Sequence, residues 1–320
     1  MSSIPPASST SETAPPEALQ LAQGSILGLT GALSQRGIRL AITWLLSGAL
    51  GPAGFGIYAL LTTLCELGAA IGPIGTDAAI SMYAARHRKD GDKARLKSLC
   101  LGSLWIGLIG AACLGGLTLL TLVFDPFEIS PESHSLVLLL SLAVAVATLT
   151  ALVNAALLGA RDVAGHTWIQ QIGLPGLVLL GCAVALTLDA GLLGVFAAYT
   201  IARCLTLIRG ARRSWKHFGP VFTDPEVRFT RRWQEILDYA VPQGLSRGLQ
   251  RAVIWADLLM LSWLSTFESV GIYRVAIAIA ALVALPVLVS ATVFGPRAAE
   301  LIHLRKRDEL QEALRRMTRW

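Results

Sequence analysis

Gln23 to Ala49 reads QGSILGLTGALSQRGIRLAITWLLSGA. About 13 mostly apolar residues precede Arg36 and about 11 follow Arg39, and neither run alone supplies the ~20 residues that a bilayer core requires. Joined, the runs make one membrane-spanning helix with two guanidinium groups near its middle. An Arg at that depth costs about 2.5–3.5 kcal/mol on insertion scales, so both side chains are expected to face a cavity or a partner. Their spacing of three puts them on one helix face.

Comparable apolar runs follow at roughly 55–84, 98–124, 135–160, 167–188, 190–209, 234–264 and 269–300, giving eight expected spans. None shows strand-like alternation, so the expected fold is all-α, a polytopic helical membrane protein. Composition agrees. Hydrophobic residues make up 54% and charged residues 15%, against about 25% charged in a typical soluble domain, and the mean hydropathy is +0.60. Disorder, collagen, a disulfide scaffold and an ordinary cytosolic enzyme are excluded.

Lys and Arg fall on alternate loops. Clusters lie at 86–97, at Arg161, at 203–232 and from Arg297 onward, 22 of the 27 in all. The opposite loops hold Asp125, Glu128, Glu132, Asp189 and Glu268 without a single cation. The positive-inside rule then puts both chain ends in the cytoplasm. The net charge of +6 is accounted for by topology, and no nucleic acid is implied. The five cations left inside spans are Arg36, Arg39, Arg247, Arg251 and Arg274.

The chain also repeats itself. Leu33-Ser34-Gln35-Arg36-Gly37-Ile38-Arg39 in span one aligns with Leu245-Ser246-Arg247-Gly248-Leu249-Gln250-Arg251 in span seven, which sets Arg39 on Arg251. Gly56-Ile57-Tyr58 opens span two, and Gly271-Ile272-Tyr273 opens span eight. Both copies keep one orientation, so the repeat is parallel. The organisation expected is a disordered cytoplasmic tail (1–20), a six-helix bundle (21–210), a basic linker (211–232), two helices of a second bundle (233–302) and a cytoplasmic amphipathic helix (303–320). Four further spans would complete the second bundle, so the sequence is expected to be partial or its product truncated.

The pattern Leu50-Gly51-Pro52-x-x-Phe55-Gly56-Ile57-Tyr58 after an Arg-bearing span resembles the bacterial Wzx-like polysaccharide flippases of the multidrug/oligosaccharidyl-lipid/polysaccharide (MOP) exporter superfamily. Pro242-x-Gly244-Leu245, Asp257, Gly271-Ile272-Tyr273-Arg274 and Phe294-x-Pro296-x-x-x-Glu300-Leu301 carry the same likeness, over about residues 20–320. The resemblance implies two bundles around a central cavity in the bacterial cytoplasmic membrane. It implies flipping of a polyprenyl-diphosphate-linked oligosaccharide for surface polysaccharide such as lipopolysaccharide or exopolysaccharide. Partners would be that lipid, the membrane lipids and the polysaccharide polymerase and export machinery.

Guanidinium groups bind phosphate through a bidentate fork and stay charged, so Arg36, Arg39, Arg247, Arg251 and Arg274 are the candidate diphosphate ligands. Glu66, Asp77 and Asp257 are the candidate coupling-ion sites. Glu66 and Asp77 lie eleven residues apart, three turns plus about 20°, and share a face if Gly72-Pro73 does not rotate the helix between them. The favoured reading of Glu66 and Asp77 is simple ion pairing with the arginines, and Asp257 carries the same ambiguity. Alternatives to the flippase are a cation-coupled multidrug exporter of the same superfamily, a membrane glycosyltransferase or polymerase, and an inactive truncated subunit. Cys65, Cys100, Cys113, Cys182 and Cys204 read as small apolar packers. The five His lack metal spacing and no phosphate-binding loop for ATP is present, so neither catalysis nor a cofactor is expected. Tyr58, Tyr83 and Tyr239, with Trp44, Trp105, Trp168, Trp233 and Trp263, read as an interfacial belt. Glycines 102, 107, 110, 115 and 116 read as close-packing positions, and Pro175 and Pro286 as kinks.

Overall fold

A computed structural model describes residues 16–124, 131–224 and 233–283, with 309, 311, 312, 314 and 315. Its elements are α1 (Pro16–Ile71), α2 (Thr76–Asp90), α3 (Lys93–Phe124), α4 (Pro131–Gly159), α5 (Val163–His166), a π-helical turn (Thr167–Gly173), α6 (Leu174–Thr187), α7 (Gly191–Thr223), α8 (Trp233–Leu264) and α9 (Phe267–Val283). The fold is all-α, as the apolar runs require. Pro286, the motif Phe294 to Leu301, and most of the segment 303–320 lie outside the described residues.

Among the described residues, five helical segments are long and apolar enough to cross a membrane: Leu27–Ile71, Lys93–Thr121, His134–Gly159, Val163–Thr187 and Gly191–Thr223. The first is two crossings. Gly51 takes φ 68°, ψ 174°, outside the helical region, and Pro52 follows it. Glycine reaches that φ without steric cost and proline supplies no backbone donor, so the helical ladder breaks there. Beyond the break the chain returns on itself. Arg39 Nη2 lies 3.4 Å from Glu66 Oε1, although 27 residues along a straight helix would separate them by about 40 Å.

The returning leg breaks again before it ends. Pro73 interrupts the ladder, Ile74 (φ 51°) and Gly75 (φ 76°) turn left-handed, and Thr76 restarts the helix with its hydroxyl donating to the Pro73 carbonyl at 2.7 Å. Expected span two is therefore two helices. The shared face predicted for Glu66 and Asp77 is lost, because the rotation at 72–75 sends them to different neighbours. Pro175 behaves otherwise. It sits at the start of α6 directly after the π-helical turn, whose wider winding absorbs the irregularity.

Lipid tails are as apolar as leucine, so helices in a bilayer associate through close packing and interhelical hydrogen bonds. Gly68 packs on Val144, Gly72 on Thr148, and Gly110 of α3 rests directly on the Gly72 backbone. Thr148 Oγ1 donates to the Gly68 carbonyl across this junction at 3.2 Å. A buried cluster of Ile42, Leu46, Phe55, Val144, Val178 and Phe196 joins α1, α4, α6 and α7. Tyr58 belongs to that cluster and not to an interfacial belt, whereas Trp44 (81% exposed), Trp105, Trp168 and Trp263 (88%) lie on the outside. All five cysteines are unbridged; Cys65 and Cys182 are buried packers, while Cys113 is exposed.

The repeat noted in the sequence meets itself. A Cβ on Gly56 would collide with the Phe267 carbonyl beside Gly271, and a Cβ on Gly271 would collide with the Pro52 carbonyl beside Gly56. Residues 52–56 and 267–271 thus cross backbone to backbone in a reciprocal contact. A second such crossing sets Gly75 against Ala240 and Gly244 of α8. We expect Gly271→Ala to lower the thermal unfolding temperature in detergent by several degrees, through overpacking worth about 1–3 kcal/mol. Gly48→Ala, with open space around it, should leave the unfolding temperature unchanged or raise it slightly.

Candidate functional site

The hairpin of α1 opens one wall of a cleft holding about 660 Å³ of unfilled space, walled by α1, α6, α7 and α9. Its polar lining is Arg39, Thr43, Thr62, Glu66, Arg203 and Arg274, with Tyr58 and Tyr199. A second cleft of about 730 Å³ shares Arg39, Thr43 and Arg274 with the first and adds Arg36 and Trp255. The two form one chamber between the α1 hairpin and the α8–α9 pair.

Each charged group is held in a different way. Arg39 pairs with Glu66 at 3.4 Å, its side chain half exposed to the chamber. Arg274 lies over the Trp255 ring, 4.7 Å from its centroid, a cation–π contact. Arg203 is almost wholly buried; its Nε donates to the Tyr199 hydroxyl at 2.8 Å, and its guanidinium sits 5.1 Å from the same ring's centroid. Arg36 is half-buried, and among the described residues its Nη1 meets no acceptor. Among the described residues, the chamber is therefore lined by Arg36, Arg39, Arg203 and Arg274 and by one carboxylate, that of Glu66. A buried donor without an acceptor costs about 1–3 kcal/mol, more when charged, and that cost is recovered when an anion occupies the space in front of it.

Three of the arginines expected at the site line this chamber, namely Arg36, Arg39 and Arg274. Arg247 and Arg251 do not. Arg247 Nη1 lies 2.7 Å from Asp77 Oδ2, joining α8 to α2 beside the Gly75–Gly244 crossing, while Arg251 lies exposed on α8. The Tyr83 and Tyr239 rings meet edge to face at 5.3 Å across the same α2–α8 seam. Glu66 and Asp77 thus each take an arginine partner, as the pairing reading anticipated. Asp257, among the described residues, accepts instead from the Tyr273 hydroxyl and, at 2.7 Å, from the Leu258 amide.

Arg203 is the chamber residue that sequence reasoning misplaced, among the loop cations after span six. The available signal was the apolar run Leu205 to Ile208 beyond it, which carries α7 onward, and Tyr199 one turn before it on the same face.

Away from the chamber, Asp162 caps α5 by accepting from the Gly165 amide at 2.8 Å, and it also receives Arg213 Nε, Arg213 Nη2 (2.9 Å) and His217 Nε2 (3.0 Å). The Arg213 guanidinium holds the Asp162 carboxyl well below the usual carboxylate range, with the Gly165 amide and His217 adding to the effect and partial burial opposing it.

The family model described as "Polysaccharide biosynthesis protein" matches residues 21–302. Among solved structures, the inward-facing conformation of a multidrug resistance MATE family transporter of the MOP superfamily aligns at TM-score 0.62 and 19% identity, over 90% of this chain and 68% of that one. The outward-facing conformation of such a transporter aligns at 0.61 and 22%, over 92% and 66%. A MOP superfamily transporter from Pyrococcus furiosus, described as having a binding pocket of reversed polarity that suggests a different function, aligns at 0.57 and 22%, over 92% and 66%. The chain spans about two thirds of the length of each. Comparison with curated protein sequences gives no match.

Two outcomes are expected. Asp77→Arg and Arg247→Asp each lower the unfolding temperature, and the double swap recovers most of the loss, a coupling read from the double-mutant cycle. The Asp162 contribution to stability is present in full above the unfolded carboxyl's pKa of about 4 and is lost as the pH falls below it toward the lowered native value. Asp162→Asn should flatten that acid limb in a pH series of unfolding temperatures.

Proposed function

The chain belongs to the polysaccharide biosynthesis protein family and has the fold of MOP-superfamily transporters, and on that premise we propose that it flips polyprenyl-diphosphate-linked oligosaccharide units across the cytoplasmic membrane for surface polysaccharide. The observation that carries the proposal is the polarity of the chamber. Among the described residues, four guanidiniums and one carboxylate line it, and the Arg36 Nη1 donor lacks an acceptor.

A diphosphate supplies what this chamber lacks: two adjoining anionic groups whose oxygens accept forked hydrogen bonds. Arg39 and Arg274 line both clefts and are the first-choice ligands; Arg36 and Arg203 add positive field from either side. The saccharide then lies along the aromatic and hydroxyl lining of Phe55, Tyr58, Thr62 and Tyr199. Glu66 is the acid able to exchange Arg39 for a proton or a monovalent cation as the anion arrives or leaves, which makes it the coupling-ion candidate. Alternating access would open the seam between the repeats at the Asp77–Arg247 pair, with both chain termini on the cytoplasmic side as the loop charges direct. Delivery to a polymerase and export apparatus would follow.

The charge balance weighs against export of cationic drugs, for which an acidic chamber is the suited electrostatic partner. Pocket polarity is also the property on which a different function is suggested for the similar transporter from Pyrococcus furiosus.

The test uses the full chain in proteoliposomes loaded on one leaflet with a polyprenyl-diphosphate-linked oligosaccharide. Arg39→Ala and Arg274→Ala should each slow translocation about tenfold or more, the loss of one charge-assisted contact of about 1.5–3 kcal/mol. Arg86→Ala, whose guanidinium pairs with Asp90 on the exposed end of α2, should leave the rate within about twofold of the parent. Unchanged translocation in both chamber variants, or efflux of a cationic dye that is lost in Glu66→Gln, would overturn the proposal.

A further inference from the structure

We propose that the end of α7 binds the phosphate headgroup of an anionic phospholipid through Arg209, Arg212 and Lys216. This site is separate from the chamber and rests on the membrane placement of α7, not on the cargo.

One face of α7 changes character within a turn. Ile201 (59% exposed), Leu205 and Ile208 are apolar side chains left open on the outside of the fold. At 100° per residue they fall within about 60° of one another on the helix. Arg212 and Trp215 continue the same stripe, and Arg209 and Lys216 border it within about a further 40°. All four are exposed. Ile208 and Arg212 are one turn apart, about 6 Å along the axis, so acyl-chain depth passes directly into headgroup depth. The opposite face is spent on the fold: Arg203, Thr206 and Gly210 are buried, and Arg213 and His217 are engaged by Asp162.

The charge of the stripe has no internal answer. Residues 191–223 contain no Asp or Glu. Asp162 is already taken by Arg213 and His217, and among the described residues Arg209, Arg212 and Lys216 have no ion-pair partner. Trp215, 58% exposed, stacks on Phe222 at 5.6 Å with the planes 7° apart, which holds its indole at the boundary. Basic residues beside an interfacial Trp at the end of a lipid-facing stripe match an anionic lipid in two ways. Its phosphate meets the cations, and its chains lie along Ile201, Leu205 and Ile208. A soluble anionic partner would leave that apolar stripe unexplained.

The test is native mass spectrometry of the full chain released from mixed micelles holding equal phosphatidylglycerol and phosphatidylcholine. The parent protein should retain phosphatidylglycerol preferentially. The Arg209→Gln/Arg212→Gln/Lys216→Gln variant should lower that preference by about fivefold or more. A charge-matched control, Arg86→Gln/Arg95→Gln/Arg161→Gln, should keep it, as should Arg209→Lys/Arg212→Lys. A second measurement does not depend on the folding of the triple variant: phosphatidylglycerol brominated on its chains should quench tryptophan fluorescence more in the parent than in Trp215→Phe, and brominated phosphatidylcholine should show a smaller difference. Equal retention by the parent and the triple variant would overturn the proposal. So would an equal loss in the charge-matched control, which would reduce the effect to net charge, or quenching that ignores both Trp215 and the headgroup.

Discussion

A guanidinium group inside a bilayer has to be answered by something other than lipid. Four of the arginines within the described helices have such answers, and the answers differ in kind. Arg39 has a carboxylate, Arg203 a phenol, Arg274 an indole face, and Arg247 the carboxylate of Asp77 on a helix of the other repeat. Arg36 keeps a donor with no acceptor among the described residues. Only two of these answers carry negative charge, and one of those lies outside the chamber. Helix placement therefore satisfies hydrogen-bonding geometry more fully than it satisfies charge. The α1 hairpin, broken at Gly51 and Pro52, returns Glu66 to the level of Arg39.

Packing imposes the complementary demand. At two places the repeats touch backbone to backbone, residues 52–56 against 267–271 and Gly75 against Ala240 and Gly244. Such contacts leave no side chain to yield, so the seam has few intermediate positions. The Asp77–Arg247 pair and the Tyr83–Tyr239 contact lie beside the second crossing and give it polar and aromatic specificity.

Much of this was legible in the sequence, for identifiable reasons. Membrane spans announce themselves by length and apolarity, and the mid-span position of Arg36 and Arg39 is visible without coordinates. The Gly-Ile-Tyr repeats stood out because close backbone approach tolerates so few residue types. Other features depended on the third dimension. Glu66 and Asp77 looked like neighbours because helical spacing is computed along an unbroken ladder; the left-handed pair Ile74 and Gly75 cancels that arithmetic. Arg203 was grouped with the loop cations that follow it, although the expected span, 190–209, encloses it. Arg247 and Arg251 share a motif with span one, yet the motif does not say which neighbour each will meet. Tyr58 follows a span opening, where an interfacial residue belongs, but the bend at Gly51 turns it into the core.

The wide turn at Thr167–Gly173 has a consequence for how the chain tolerates change in length. A π-helical turn closes over five residues instead of four and so accommodates one residue more than regular α-winding. Removing Ile172 would let the segment rewind as α-helix with Thr167 and Gln171 still seated on Gly31, and the spacing of Pro175, Val178 and Cys182 against α7 would survive. The same deletion within α4 would rotate everything beyond it by about 100° and pull Val144 and Thr148 out of step with Gly68 and Gly72. Insertions and deletions in this lineage should therefore collect at the wide turn, which serves the fold as an expansion joint.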